Sequence, residues 1–221
     1  ADEAAALELS PGGFVRGGQR LPPADASVRT DLVCTLRASL RGASALAAID
    51  GHLEQFGRDL LEQLEAAAED PEEGVGPLGT GPLGEILRYS SRSDMQIACY
   101  PGRGSHYLPH LDNGDGDGRH GRDYGRVLTL IYYLHDMAPE DGGALRLYLP
   151  SKVVCAEPAV ASAVGHNHLQ SHSAAVDVIP RAGLLVAFRA DQIVHEVRPC
   201  ARARTAATVW ILAKAAEARA E

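Results

Sequence analysis

Several things are scarce in this chain of 221 residues. There are four cysteines, Cys34, Cys99, Cys155 and Cys200, and no two stand in a C-x-x-C spacing. That argues against a zinc knuckle or a thioredoxin-type motif and reads as reduced thiols in an intracellular protein. No apolar run is long enough to cross a membrane as a helix, so no membrane partner is expected. No signal peptide is visible, although the chain starts at Ala1 without a methionine. Positive charge is also short: 21 Lys and Arg against 29 Asp and Glu leave a formal net charge of −8. A non-specific nucleic-acid binder is not expected on that balance. No G-x-G-x-x-G opens a helix and no strict strand–helix alternation runs along the chain, so a dinucleotide-binding fold is not expected either.

What is present points to turns and strands. The chain is 45% hydrophobic, enough for a single domain over 1–221 with a real core. Its 23 Gly and 13 Pro imply many turns. Leu7 and Leu9 could end a helix before Pro11-Gly12-Gly13. The clearest helix spans 44–68, with Ile49, Leu53, Phe56, Leu60 and Leu64 as one apolar stripe and Ser44 as N-cap. The acidic cluster from Glu62 to Glu73 reads as its solvated end and the following loop. Strands are expected at 95–100, at 126–134 and on both sides of Pro180-Arg181-Ala182-Gly183. Asp141-Gly142-Gly143 reads as a hairpin turn into the strand at 144–149. Helix early and short strands late suit an α+β chain: a β-sandwich or barrel backed by N-terminal helices.

The chemistry gathers around His110-x-Asp112. Two residues apart on an extended strand, an imidazole and a carboxylate point to the same side. His195, in Val194-His195-Glu196-Val197, is the best third ligand. Two histidines and one carboxylate leave open positions on an octahedral ion and suit non-haem Fe(II) oxygenases. Arg204, nine residues on, starts an alternating strand through Trp210 and is a fixed cation able to grip a carboxylate bidentately. Such a site fits 2-oxoglutarate, with one end on the metal and the other on the arginine. Asn113, Asp115 and Asp117-Gly118 mimic the start of a calcium loop, but Tyr124 stands where a bidentate glutamate is needed. A tight turn is the better reading. His166, His168 and His172 fall in an insert at about 151–175, read as a surface insertion rather than a metal site.

These residues resemble a known family. Cys99-Tyr100-Pro101-Gly102, His110-x-Asp112-Asn113, Gly116-Asp117-Gly118-Arg119, Ile131-Tyr132-Tyr133-Leu134, Gly142-Gly143-x-Leu145-Arg146, His195-Glu196-Val197 and Arg204 with Thr208-Val209-Trp210 are similar to the prolyl hydroxylases that act on hypoxia-inducible factor. The resemblance implies a double-stranded β-helix, or jelly-roll, core over about 95–213. It implies a protein prolyl 4-hydroxylase of the hypoxia response that couples oxidative decarboxylation of 2-oxoglutarate to hydroxylation of a proline. The cofactors implied are Fe(II), 2-oxoglutarate and O2, with ascorbate as reductant. His110, Asp112 and His195 would be both catalytic residues and metal ligands. Arg204, Tyr133, Tyr100, Thr208 and Trp210 would bind 2-oxoglutarate or line its pocket. Alternation alone leaves open which face Tyr133 takes. Arg29 and Asp31 stand either for contacts with the protein substrate or for a surface ion pair. Asp191 could support the metal site from behind. A monomer in the cytoplasm or nucleus is expected. The alternatives are an oxygenase with another substrate, a nucleic-acid demethylase (from the spacing of Arg198 and Arg204) and a non-catalytic metal-binding jelly-roll.

Overall fold

The computed structural model describes residues 9–16, 19–23, 27–36, 45–69, 91–113, 126–150, 172–190 and 192–212. Strands β1 (Ser10–Pro11), β2 (Gly13–Arg16), β3 (Gln19–Pro23) and β4 (Leu32–Leu36) come first. Helix α1 (Ala45–Glu69) follows. Then come β5 (Ser91–Arg92), β6 (Met95–Tyr100), β7 (Ser105–His110) and β8 (Arg126–Tyr133). The last strands are β9 (Leu145–Pro150), β10 (His172–Val178), β11 (Leu185–Arg189), β12 (Val194–Cys200) and β13 (Arg204–Leu212). A seven-stranded sheet runs β1-β4-β6-β13-β8-β11, with β5 beside β13. A four-stranded sheet runs β10-β9-β12-β7, and β2 pairs with β3.

The central strands of the large sheet, β8 and β13, are buried along most of their length on both faces. One face meets the small sheet. There Ile131, Tyr133 and Ala206 pack with Leu145, Leu147 and Val178, and Ala98 and Tyr100 pack with Val197 and Cys200. The other face is covered by α1, whose Leu46, Ile49 and Leu53 pack on Met95, Ile97, Ala207 and Val209.

The helix forms where expected, but its buried stripe is rotated from the expected one. Phe56 is exposed, while Gly57 faces the sheet. A Cβ at Gly57 would lie 2.9 Å from Ile211 Cδ1, so a glycine is what lets the helix come this close. Ser44 and the side chain of Leu64 lie outside the described residues. So does Leu7, while Ser10–Pro11 after it is strand. Among the described residues α1 is the one supporting helix, and no helix there is long and apolar enough to cross a membrane.

Two turn assignments need correction. Asp141-Gly142-Gly143 does not make a hairpin. It carries the chain from β8 in the large sheet to β9 in the small one. A short 3-10 turn, Pro139–Asp141, precedes it, and both glycines have φ of +69°. Gly142 runs so close to β12 that a Cβ would meet Pro199 O at 2.3 Å. The insert is also shorter than 151–175, because His172–Val178 forms β10 and pairs with β9. His166, His168 and Asp191, like the Asp115–Asp117 stretch, fall outside the described residues.

Candidate metal and 2-oxoglutarate site

The two histidines meet because their strands pair. His110 closes β7, His195 is the second residue of β12, and the register sets them directly opposite. Their ring centroids are 4.3 Å apart. Asp112 sits in the bend just beyond β7, not on the strand itself. Its carboxylate is drawn off the β7 ladder by the large sheet. Oδ2 accepts from Thr129 Oγ1 at 2.7 Å and from Trp210 Nε1 at 3.0 Å, and Thr129 and Trp210 are themselves cross-strand partners. Asn113 fixes the bend by donating N–H to Ala190 O and Nδ2–H to Arg126 O. Nε2 of His110 then lies 3.8 Å from Asp112 Oδ1, and Nε2 of His195 lies 3.6 Å from Oδ2. One donor atom from each of the three residues lies within 4.8 Å of the others, so the group could hold a metal ion.

The chemistry of the donors fits a divalent ion. Each imidazole engages a backbone carbonyl through Nδ1, His110 with Leu108 O at 2.8 Å and His195 with Ile193 O at 3.1 Å. A proton on each Nδ1 leaves the Nε2 lone pair facing Asp112, which is how metal-binding histidines are oriented from behind. Burial, and then the neighbouring His195, push the His110 pKa down to about 3, so the ring is neutral at pH 7. Burial opposes ionisation of Asp112. His195, His110, Arg126 and the Trp210 N–H outweigh it and hold the carboxyl well below the usual carboxylate range. The arrangement is two imidazole nitrogens and one carboxylate oxygen on largely buried side chains, the set that suits Fe(II).

The other expected residues share the interior face. On β13 the inward row reads Arg204, Ala206, Thr208 and Trp210, all buried. Tyr133 faces the same space with Ile131, which settles the face that alternation left open, while Leu130 turns toward α1. Arg204 is 2% exposed. Its Nε donates to Gly143 O at 2.9 Å, and Nη2 lies 3.4 Å from the Tyr133 hydroxyl. Its guanidinium carbon is 5.0 Å from the centre of the Tyr100 ring, its cross-strand partner. Burial pushes the Tyr133 and Tyr100 hydroxyls up, so both are O–H donors. Among the described residues no carboxylate pairs with Arg204, which leaves a buried cation able to accept an anionic ligand. Between Arg204 and Trp210 the row carries only the small side chains of Ala206 and Thr208.

Other placements differ from expectation. Trp210 seats Asp112 and carries Arg126 on its ring at 3.8 Å. Arg29 and Asp31 do not form a surface pair: their side chains are 9% and 0% exposed. Arg198 bonds to Glu196 with a 43% exposed side chain, whereas Arg204 is buried in the interior, so their spacing does not make one cationic patch. Thr129, Phe188, Tyr107 and the Gly143 carbonyl were not anticipated. Phe188 stands edge-on to His195 at 4.7 Å. Thr129 did leave a signal. It is the one hydroxyl in an otherwise apolar stretch of β8, on the same alternation as Ile131 and Tyr133.

A jelly-roll that brings two histidines and an aspartate together beside a buried arginine defines a mononuclear metal oxygenase architecture. The 2OG-Fe(II) oxygenase superfamily matches residues 95–212, more than half of the chain. The chain belongs to the 2OG-Fe(II) oxygenase superfamily. It is 33% identical over 145 residues to Egl nine homolog 1 of Rattus norvegicus, covering 64% of this chain and 35% of that protein. It is 36% identical over 127 residues to the hypoxia-inducible factor prolyl hydroxylase of Caenorhabditis elegans, covering 56% and 14%. The chain thus spans less than half the length of either curated relative. In fold it is similar to the Trichoplax adhaerens prolyl hydroxylase solved with a hypoxia-inducible factor peptide. The TM-score is 0.61 at 24% identity, with 93% of this chain and 70% of that one covered. A prolyl-4-hydroxylase of Pseudomonas putida gives a TM-score of 0.56 at 23% identity, covering 92% and 77%.

Proposed function

We propose that the chain is a single-domain protein prolyl 4-hydroxylase, acting on a proline-containing protein with Fe(II), 2-oxoglutarate and O2. The observation that carries this is the buried Arg204, without a carboxylate partner among the described residues, on the interior side of the sheet that also seats Asp112. A non-catalytic metal module has no use for a buried carboxylate clamp. The name of the Caenorhabditis elegans relative, hypoxia-inducible factor prolyl hydroxylase, supplies the substrate class.

In this reading His110, Asp112 and His195 would hold Fe(II). A metal held there would supply the oxidising power for the oxidative decarboxylation of 2-oxoglutarate and the hydroxylation of the substrate. Thr129 and Trp210 keep the Asp112 carboxylate turned to the ion. Arg204 and the Tyr133 hydroxyl would bind the distal carboxylate of 2-oxoglutarate, next to the small side chains of Ala206 and Thr208. Tyr100 flanks the Arg204 guanidinium. Ile131, Leu145, Leu147 and Phe188 keep water from the cavity, so the charged contacts within it gain strength. Ascorbate serves as reductant, the protein works as a monomer, and its place is the cytoplasm or nucleus.

The test is turnover of proline-containing peptides with Fe(II), 2-oxoglutarate and ascorbate, read by mass. One added oxygen on proline, matched by succinate, is the expected result. Succinate without hydroxyproline would move the substrate elsewhere. No succinate from folded, iron-loaded protein would remove the enzyme reading.

A further inference from the structure

We propose that the buried Arg29–Asp31 pair, acting through Tyr107, is a positioning device for the His110 imidazole and so sets how tightly the site takes up a metal. This rests on the metal-holding role of His110 proposed above.

The pair is built into the protein. Arg29 Nε donates to Asp31 Oδ1 at 2.6 Å, and Nη2 bonds to Oδ2. Asp31 is fully enclosed, and the Gly12 N–H donates to its carbonyl. A Cβ at Gly12 would lie 2.6 Å from atoms of both side chains, so this turn is packed as a cap over the ion pair. A substrate cannot reach Asp31 without displacing that cap.

The path from the pair to the metal site is short. The Arg29 guanidinium carbon lies 4.2 Å from the centre of the Tyr107 ring. Tyr107 stacks on His110 with centroids 3.6 Å apart and planes 16° from parallel. The backbone holds the same alignment. Thr30 N–H donates to His106 O, Leu108 N–H donates to Val28 O, and Arg29 and Tyr107 form a bridge pair. Tyr107 is thus clamped between a cation and a metal ligand. A rotated His110 ring would lose both its stack and its Nδ1 bond to Leu108 O.

The experiment is titration of metal-free protein with Co(II), followed by the visible absorption of the bound ion. Tyr107→Leu removes the stack and is expected to weaken Co(II) roughly tenfold, as loss of supporting partners does at metal sites. Tyr107→Phe keeps the ring face and restores tight binding. Asp31→Asn weakens Co(II) on its own but adds nothing to Tyr107→Leu, because both act along one path. Should Asp31→Asn fail to fold, the Phe and Leu variants of Tyr107 decide. Binding that is lost in His195→Ala yet untouched by Tyr107→Leu overturns the positioning role and leaves the metal site standing. Full Co(II) binding by His195→Ala overturns the metal reading itself.

Discussion

β13 is buried on both faces, and the two faces do different work. Toward α1 it shows Ala207, Val209 and Ile211, all apolar and packed on helix side chains or on Leu128 and Leu130. Toward the small sheet it shows Arg204, Thr208 and Trp210, which carry polar atoms into the interior. The first face gains stability from area removed from water. The second gives some of it up, because a buried cation without a carboxylate is expensive to enclose. One strand therefore separates folding from chemistry by alternation alone. Substitutions on the two sides should move different observables.

The largest effect is expected within the interior. Asp112→Ala removes the only carboxylate of the ligand set and should abolish peptide hydroxylation and the visible Fe(II)–2-oxoglutarate absorption. It also takes the acceptor from the buried Thr129 hydroxyl and Trp210 N–H, so stability should fall by about 1–3 kcal/mol while the protein still folds. A collapse of folding instead would mean that the interior face also carries the stability. Next comes the helix side. Leu53 is 2% exposed, and Leu53→Ala should destabilise by about 2–5 kcal/mol. The 2-oxoglutarate affinity of the remaining folded protein should be unchanged. An altered affinity at full folding would show that α1 shapes the pocket.

Arg204→Met tests the separation from the other side. Losing a charge-assisted grip of about 1.5–3 kcal/mol should weaken 2-oxoglutarate roughly 10- to 150-fold. Removing an uncompensated buried charge should raise the thermal midpoint rather than lower it. A fall in stability with unchanged affinity would make Arg204 a structural residue and break the contrast. Trp210→Phe is milder. It deletes one of two donors to Asp112 Oδ2, leaves Thr129 in place, and should weaken the metal about tenfold. Calorimetric titration with Co(II) would read this.

The contrast also explains how much was readable in advance. His110, Asp112, His195 and Arg204 were legible because residue type and charge are local properties, and because their order along the chain resembles a known family; strand alternation does not hold for Asp112, which lies in the bend beyond β7. The seat of Asp112 was not, since Thr129 and Trp210 become neighbours only when β8 and β13 pair. The same holds for Asp141-Gly142-Gly143. Its glycines look like a hairpin, and only the partner strands reveal a crossing between sheets. Arg29 and Asp31 read as either substrate contacts or a surface pair, both of them exposed readings, because nothing local announces that Gly12 closes over them. Phe56 reads as part of the buried stripe since a bulky apolar residue normally outranks a glycine. Here closeness to Ile211 decides instead.

That last position gives the smallest and most discriminating prediction. Gly57→Ala gains about 1 kcal/mol of helix propensity. It also places a methyl 2.9 Å from Ile211 Cδ1, the flexible tip of a side chain on the helix side of β13. Accommodating that contact needs Ile211 to turn or the helix to lift slightly, at about 1 kcal/mol. The two offset, so the thermal midpoint should stay near wild type, with 2-oxoglutarate and metal affinity unchanged. Gly57→Leu cannot be absorbed this way and should lower the midpoint while still sparing affinity in the folded fraction. If lifting α1 instead weakened 2-oxoglutarate, strain would be passing through β13 from Ile211 to its neighbours on the interior face, Trp210 and Thr208. The two faces would then be coupled through the strand they share.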